Sequence, residues 1–128
     1  AGLKEKEDLT REGKAHMFTI FHQGEPRGSA SVRPYDDGFR TDLGFWIAEA
    51  SQNQGVGTAL VKQLLQYAFQ LPQIQKVEAM VFLTNPASRR ILEKNGFRVE
   101  GTIRMTNRKR GQYIDEWLLG ITRKEYES

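Results

Sequence analysis

The chain has 128 residues, 38% of them hydrophobic and 27% charged, with a net charge of +3 and no cysteine. That length suits one domain with its own core, and the composition is that of an ordinary globular protein. Disulfides, thiolate metal sites and a thiol nucleophile are excluded, a cytoplasmic setting is the default expectation, and no apolar run approaches the roughly 18 residues of a membrane-spanning helix.

Residues 1–15 are mostly charged, with Leu3 and Leu9 as the large apolar groups. They predict a polar N-terminal arm, frayed or folded into a short surface helix, ahead of a domain over 16–128. From His16 the period becomes two. Phe18 and Ile20 face one way and Met17 and Phe21 the other, which predicts a strand covered on both faces. RGSASVRPYD predicts a second strand, with Pro34 pointing to an edge or a bulge, and RTDLGFWIA a third. Leu60, Val61, Leu64, Leu65, Ala68 and Phe69 form one stripe of a helix ending near Leu71-Pro72. VEAMVFLT follows, nearly continuously apolar from Ala79 to Leu83, as in a central strand buried on both faces. Strand, helix and strand make a βαβ unit with an expected right-handed crossover.

NPASRRILEKNGF predicts a second helix, capped by Asn85, begun by Pro86 and stopped at Asn95-Gly96. Two strands close the sequence. FRVEGTIRM places Phe97, Val99, Ile103 and Met105 inward, and YIDEWLLGI places Tyr113, Asp115, Trp117 and Leu119 on one face, with NRKRGQ as the loop between them. The arginines and lysine from Arg98 to Arg110 read as a solvated hairpin; nucleic acid is not an expected partner.

Several chemistries fail on spacing. Gly55-x-Gly57-x-x-Leu60 lacks the third small residue of a dinucleotide fingerprint, no Gly-Lys-Ser/Thr follows it, and no Gly-x-Ser-x-Gly elbow exists. His16 and His22 are six residues apart on a strand, about 20 Å, too far to share a metal. Gln52-x-x-Gly55-x-Gly57 survives. It lies after a strand and opens a helix, where unpartnered N–H groups and the helix dipole favour an anion. A tight strand-to-helix turn with no ligand would leave the same residues.

This Gln-x-x-Gly-x-Gly resembles the acyl-coenzyme A signature of the GNAT N-acetyltransferase superfamily, written Arg/Gln-x-x-Gly-x-Gly/Ala. Asn85-Pro86-Ala87-Ser88, Leu92-Glu93-Lys94-Asn95-Gly96-Phe97, Glu100-Gly101, Arg104, Gly111 and Asp115 resemble its branch of ribosomal-protein N-terminal acetyltransferases, and the matches run from residue 16 to residue 121. The resemblance implies an α/β (α+β) fold: a GNAT-like mixed, mostly antiparallel sheet of about six strands with a central βαβ unit and two main helices. It implies that Gln52, Asn53, Gln54, Gly55, Val56, Gly57 and Thr58 wrap the pyrophosphate of acetyl-coenzyme A through backbone N–H groups. The strand ending at Phe45, Trp46 and Ile47 would splay from Val81-Phe82-Leu83 to admit the pantetheine arm. A backbone N–H near Ile47 would polarise the thioester carbonyl. Asn85 would bind pantetheine, and Ser88 would protonate the leaving thiolate. Bland alternatives stand beside these: Asn85 is a good helix cap, Ser88 can bond backbone in the first turn, and Asp115 can anchor the basic hairpin.

The sequence departs from the family pattern in two places. Many GNAT enzymes carry a Tyr general acid seven residues after the Asn85 position, where this chain has Leu92. The family also begins with a strand and two helices that wall the acceptor site, and the residues before His16 are too few and too polar for them. A chain lacking those N-terminal elements is therefore expected. An acceptor ammonium must lose its proton before attack, and Glu49 is the candidate general base. The expected activity is transfer from acetyl-coenzyme A to a primary amine, of a protein N-terminus or a small molecule, without a metal. An acyl-coenzyme A-binding module with little turnover is the alternative, and a homodimer is left open.

Overall fold

Strand β1 (Gly2–Glu5) is followed by β2 (His16–His22), β3 (Glu25–Pro34), β4 (Arg40–Ile47), α1 (Val56–Phe69), β5 (Lys76–Phe82), α2 (Pro86–Lys94), β6 (Arg98–Lys109), β7 (Gln112–Thr122) and α3 (Arg123–Glu127). The computed structural model describes residues 2–5, 15–48 and 55–128. Their strands form one sheet in the order β1-β2-β3-β4-β5-β7-β6. Every pairing is antiparallel except β4–β5, which α1 bridges as a βαβ unit. The mixed sheet, the central unit and the two main helices expected from the sequence are all present.

Alternation decides which face is buried. Phe18, Ile20, Ala30, Val32, Leu43, Ile47, Val77, Ala79, Val81, Leu119 and Ile121 share one face and meet the predicted stripe of α1 in a single core. Leu92 of α2 joins them, fully buried. The opposite face carries Arg33, Asp42, Glu78, Met80 and Glu116, and neither α1 nor α2 packs on it.

Some local expectations are corrected. Gly2–Glu5, placed in a frayed arm or a short helix, form a seventh strand paired with β2 from Gly2–Phe21 to Glu5–Phe18. Edge pairing of this kind draws on the free backbone groups of β2 rather than on an apolar pattern, so composition gives no warning of it. Residues 6–14 of the expected arm lie outside the described residues. β3 is an interior strand, and Pro34 is tolerated there because it is the last paired residue, opposite Thr41. β5 is central, yet Met80 is 39% exposed, so only the helix-facing side of that strand is uniformly apolar and buried.

In β6, Val99, Ile103 and Met105 were expected inward but are 36, 43 and 61% exposed. β6 is an edge strand with irregular register between Val99 and Gly101 and again between Ile103 and Asn107. Each insertion resets the period-two rule. Asp115 holds the second one: its Oδ1 accepts from the Met105 N–H at 2.9 Å, the anchoring role weighed from the sequence. The expected hairpin loop shrinks to Arg110-Gly111, with φ of +51° and +78°, which fits a two-residue turn between long strands.

Candidate active site

β4 and β5 pair only from Arg40–Lys76 to Leu43–Ala79, although both strands continue. Residues 44–47 and 80–82 therefore diverge and leave a fork in the sheet. A cavity of about 300 Å³ opens beside it. Phe45, Trp46 and Ile47 line it from β4, Gly55, Gly57 and Thr58 from the head of α1, and Asn85, Ala87, Ser88, Arg90, Ile91 and Lys94 from α2.

The head of α1 has the local geometry that favours an anion. Gly55 is its N-cap with φ +74°, no side chain among the described residues caps the helix, and its first turn holds no acidic residue. The helix thus presents uncancelled N–H dipoles towards the cavity. Gly57 has a different task. A Cβ there would come within 2.5 Å of Ile91 Cδ1, so the glycine lets α1 and α2 approach closely. Asn95 Nδ2 locks the same contact by donating to the Thr58 and Ile91 carbonyls at 3.2 and 3.0 Å.

Asn85 caps α2, its Oδ1 accepting from the Ser88 N–H at 3.3 Å. Its Nδ2 donates to Ser88 Oγ at 3.0 Å, which leaves the Ser88 hydroxyl proton free to point elsewhere. The capping reading and the ligand reading of Asn85 are compatible, because both residues also line the cavity.

On the open face, Asp42 stands at the root of the fork, in register between Arg33 and Glu78. Burial, with Glu78 and Glu116 adding like charge, pushes its carboxyl up to about 6, against the opposing pull of Arg33. Glu78 itself is buried but paired, with Arg40 Nη1 at 3.3 Å and Lys76 Nζ at 3.1 Å. Beyond Asp42 on the same face the fork is flanked by Trp46 and Met80, 62 and 39% exposed.

The profile of the Acetyltransferase (GNAT) domain matches residues 3–98. The chain belongs to the GNAT acetyltransferase family. It is similar to the probable N-acetyltransferase YjcK of Bacillus subtilis, 32% identical, covering 98% of this chain and 71% of the relative. It is 27% identical to the ribosomal-protein-serine acetyltransferase of Escherichia coli over 84% of this chain and 60% of that protein. Among solved structures, Mycobacterium smegmatis RimJ in complex with CoA-disulfide superimposes with a TM-score of 0.83 at 28% identity, covering 92% of this chain and 57% of that one. The chain thus spans only part of each relative's length.

Within this GNAT domain, eight expected side chains or glycines meet at the cavity: Phe45, Trp46, Ile47, Gly55, Gly57, Thr58, Asn85 and Ser88. Val56 is in the core at 4% exposure, so only its backbone can serve the site. Glu49, Gln52, Asn53 and Gln54 lie outside the described residues. Sequence reasoning missed Ala87, Arg90, Ile91 and Lys94, although i, i+3 and i+4 spacing from Ala87 would have put them on one helix face. Asp42, which the sequence reading did not single out, stands beside the fork without lining the cavity. Leu92, at the family's Tyr position, is fully buried in the core, so that position of α2 offers no proton donor.

Proposed function

We propose that this domain binds acetyl-coenzyme A in the cavity and catalyses direct transfer of the acetyl group to a primary amine, on a protein N-terminus or a small molecule. The fork between β4 and β5 carries the reading: the strands part beyond Leu43 and Ala79, the cavity beside the fork reaches the head of α1, and Asp42 lies on the open face next to the last paired residues. Residues present fit the donor. The helix head at Gly55 suits the pyrophosphate, the apolar Phe45 and Ile47 side of the cavity suits the pantetheine arm, and the two exposed cations of α2 add positive charge.

The acceptor approaches from the open face. Asp42 removes the ammonium proton, with Glu49 as the competing carboxylate, and the amine nitrogen attacks the thioester carbonyl carbon. Backbone N–H groups of residues 44–47 stabilise the charge that develops on its oxygen. The carbon–sulfur bond breaks, and the Ser88 hydroxyl passes a proton to the departing thiolate while recovering the second proton that the amine nitrogen sheds on becoming the amide. The similarity to a ribosomal-protein-serine acetyltransferase supports an amine on a protein as one acceptor.

A second reading, binding with little turnover, is favoured by the burial of Leu92. Titration with acetyl-coenzyme A, paired with thiol release over a panel of peptides and small amines, separates the two. Binding with thiol release and an acetylated amine supports the transferase. Binding alone supports the module, and absence of binding rejects both.

A further inference from the structure

Of the four asparagines in the chain, only Asn95 is followed by glycine. In that pair a side-chain amide is most open to attack by the next backbone nitrogen, because Gly96 has no Cβ to block the approach. Gly96 is exposed and Asn95 half-buried, so water reaches the pair. The fold nonetheless holds the reacting groups apart. Asn95 is the C-cap of α2 with ψ 9°, a turn of backbone that keeps the Gly96 nitrogen away from Asn95 Cγ, and the Gly96 N–H donates to the Glu93 carbonyl at 3.0 Å. The amide end is tied as well, its Nδ2 donating to the Ile91 carbonyl within α2 and to the Thr58 carbonyl in the first turn of α1.

We infer that Asn95 is a site of deamidation gated by the contact between α1 and α2. When the cap and that contact open, the Gly96 nitrogen bonds to Asn95 Cγ, the Cγ–Nδ2 bond breaks, and ammonia leaves with the Gly96 amide proton. Water then opens the succinimide at either carbonyl and leaves aspartate or isoaspartate. The step takes up water and releases ammonia, with no oxidant or cofactor. The product cannot restore the closed arrangement, because a carboxylate has no N–H for the Thr58 and Ile91 carbonyls and its oxygens repel theirs. It also sets a negative charge beside the first turn of α1, where the helix dipole favours an anionic ligand. Conversion therefore releases α2 from the head of α1 and weakens binding of the anionic donor. That last consequence rests on the acetyl-coenzyme A reading above; the chemistry at residue 95 does not. A donor seated against both helices holds the contact closed and protects the amide.

The test follows the acid formed at residue 95 by peptide mass mapping in mildly alkaline buffer, with isoaspartate assayed in the same peptide. The native wild type is expected to convert at least about tenfold more slowly than the same chain in guanidinium chloride, the ratio being set by how rarely the contact opens. Gly57→Ala, whose Cβ meets Ile91 Cδ1, should shrink that ratio, and saturating acetyl-coenzyme A should raise it. Asn95→Asp imitates the product. It should unfold at lower denaturant and bind acetyl-coenzyme A about threefold more weakly, whereas Asn107→Asp, the same change of charge on β6, should leave binding unchanged. Conversion at Asn95 that is equally fast in the native and unfolded chains, or no conversion there in denaturant, would overturn the gate. Wild-type stability in Asn95→Asp would overturn it too, and unchanged affinity in a destabilised Asn95→Asp would overturn its link to the donor. A wild type that binds no acetyl-coenzyme A would overturn the donor reading and leave the gated chemistry standing.

Discussion

Gly55 and Gly57 stand two residues apart and answer to different constraints. Gly55 holds a left-handed φ with open space around it, while Gly57 has ordinary helical surroundings but no room for a Cβ against Ile91. Gly55→Ala should therefore cost about 1 kcal/mol of stability through backbone strain alone and weaken acetyl-coenzyme A binding by misaiming the first N–H groups. Gly57→Val should cost stability directly, about 2–3 kcal/mol from overpacking between α1 and α2, as read by urea unfolding. Equal unfolding midpoints for the two would contradict this division. From the sequence both glycines read as one phosphate motif, because spacing reports that a side chain is unwelcome but not what would collide with it.

Asp42 belongs to the same scale. Its folded-state pKa of about 6 lies above the ordinary 3.8, so the folded protein holds this proton more tightly than the unfolded chain. The stability it lends is complete below the ordinary value and is lost as pH rises through about 6. The Tm of Asp42→Asn should accordingly gain on the wild type as pH rises from about 4 to about 7, ending about 1 kcal/mol more stable once solvent screening is allowed for. The same substitution should lower kcat by about 100-fold and remove an acidic limb near pH 6 from its pH profile. A retained limb would move the base to Glu49.

At the scale of elements, the helices were the most legible part. The stripe from Leu60 to Phe69 and the Asn85-Pro86 start of α2 each combine a local signal with the packing it serves, so sequence and structure agree. β6 was legible as a strand but not as a face, since it carries two register irregularities, and at the second the Met105 N–H turns to Asp115 of another strand. β1 left no trace, being made by its neighbour. The end of α1 shows another long-range dependence. Arg123 donates through Nε to the Ile74 carbonyl at 2.8 Å and through Nη2 to those of Phe69 and Leu71 at 3.0 and 2.9 Å. It ties α3 to the α1 C-terminus, where carbonyls lack helical partners. Arg123→Ala should lower stability by about 2 kcal/mol, and Arg123→Lys should recover less than half, because one ammonium cannot reproduce the guanidinium fork. A full rescue by lysine would show that charge, rather than this geometry, matters.

For the whole molecule, the sheet is the instrument of function. It is continuous from β1 to β6 except where β4 and β5 part beyond Leu43 and Ala79, and the cavity lies beside that parting, lined there by Phe45, Trp46 and Ile47. The sequence reading placed that parting at Phe45 to Ile47 by resemblance, and the register places its root at Gly44. It did not single out Asp42 or the α2 cations, because they come near the fork only when distant strands and a second helix assemble around it. Chemistry at the fork depends first on the donor. Calorimetric titration of acetyl-coenzyme A into the wild type and Gly55→Val is the direct test: one saturable site is expected in the wild type, weakened at least about tenfold in a folded Gly55→Val. No binding to the wild type, or unchanged affinity in the variant, would contradict it.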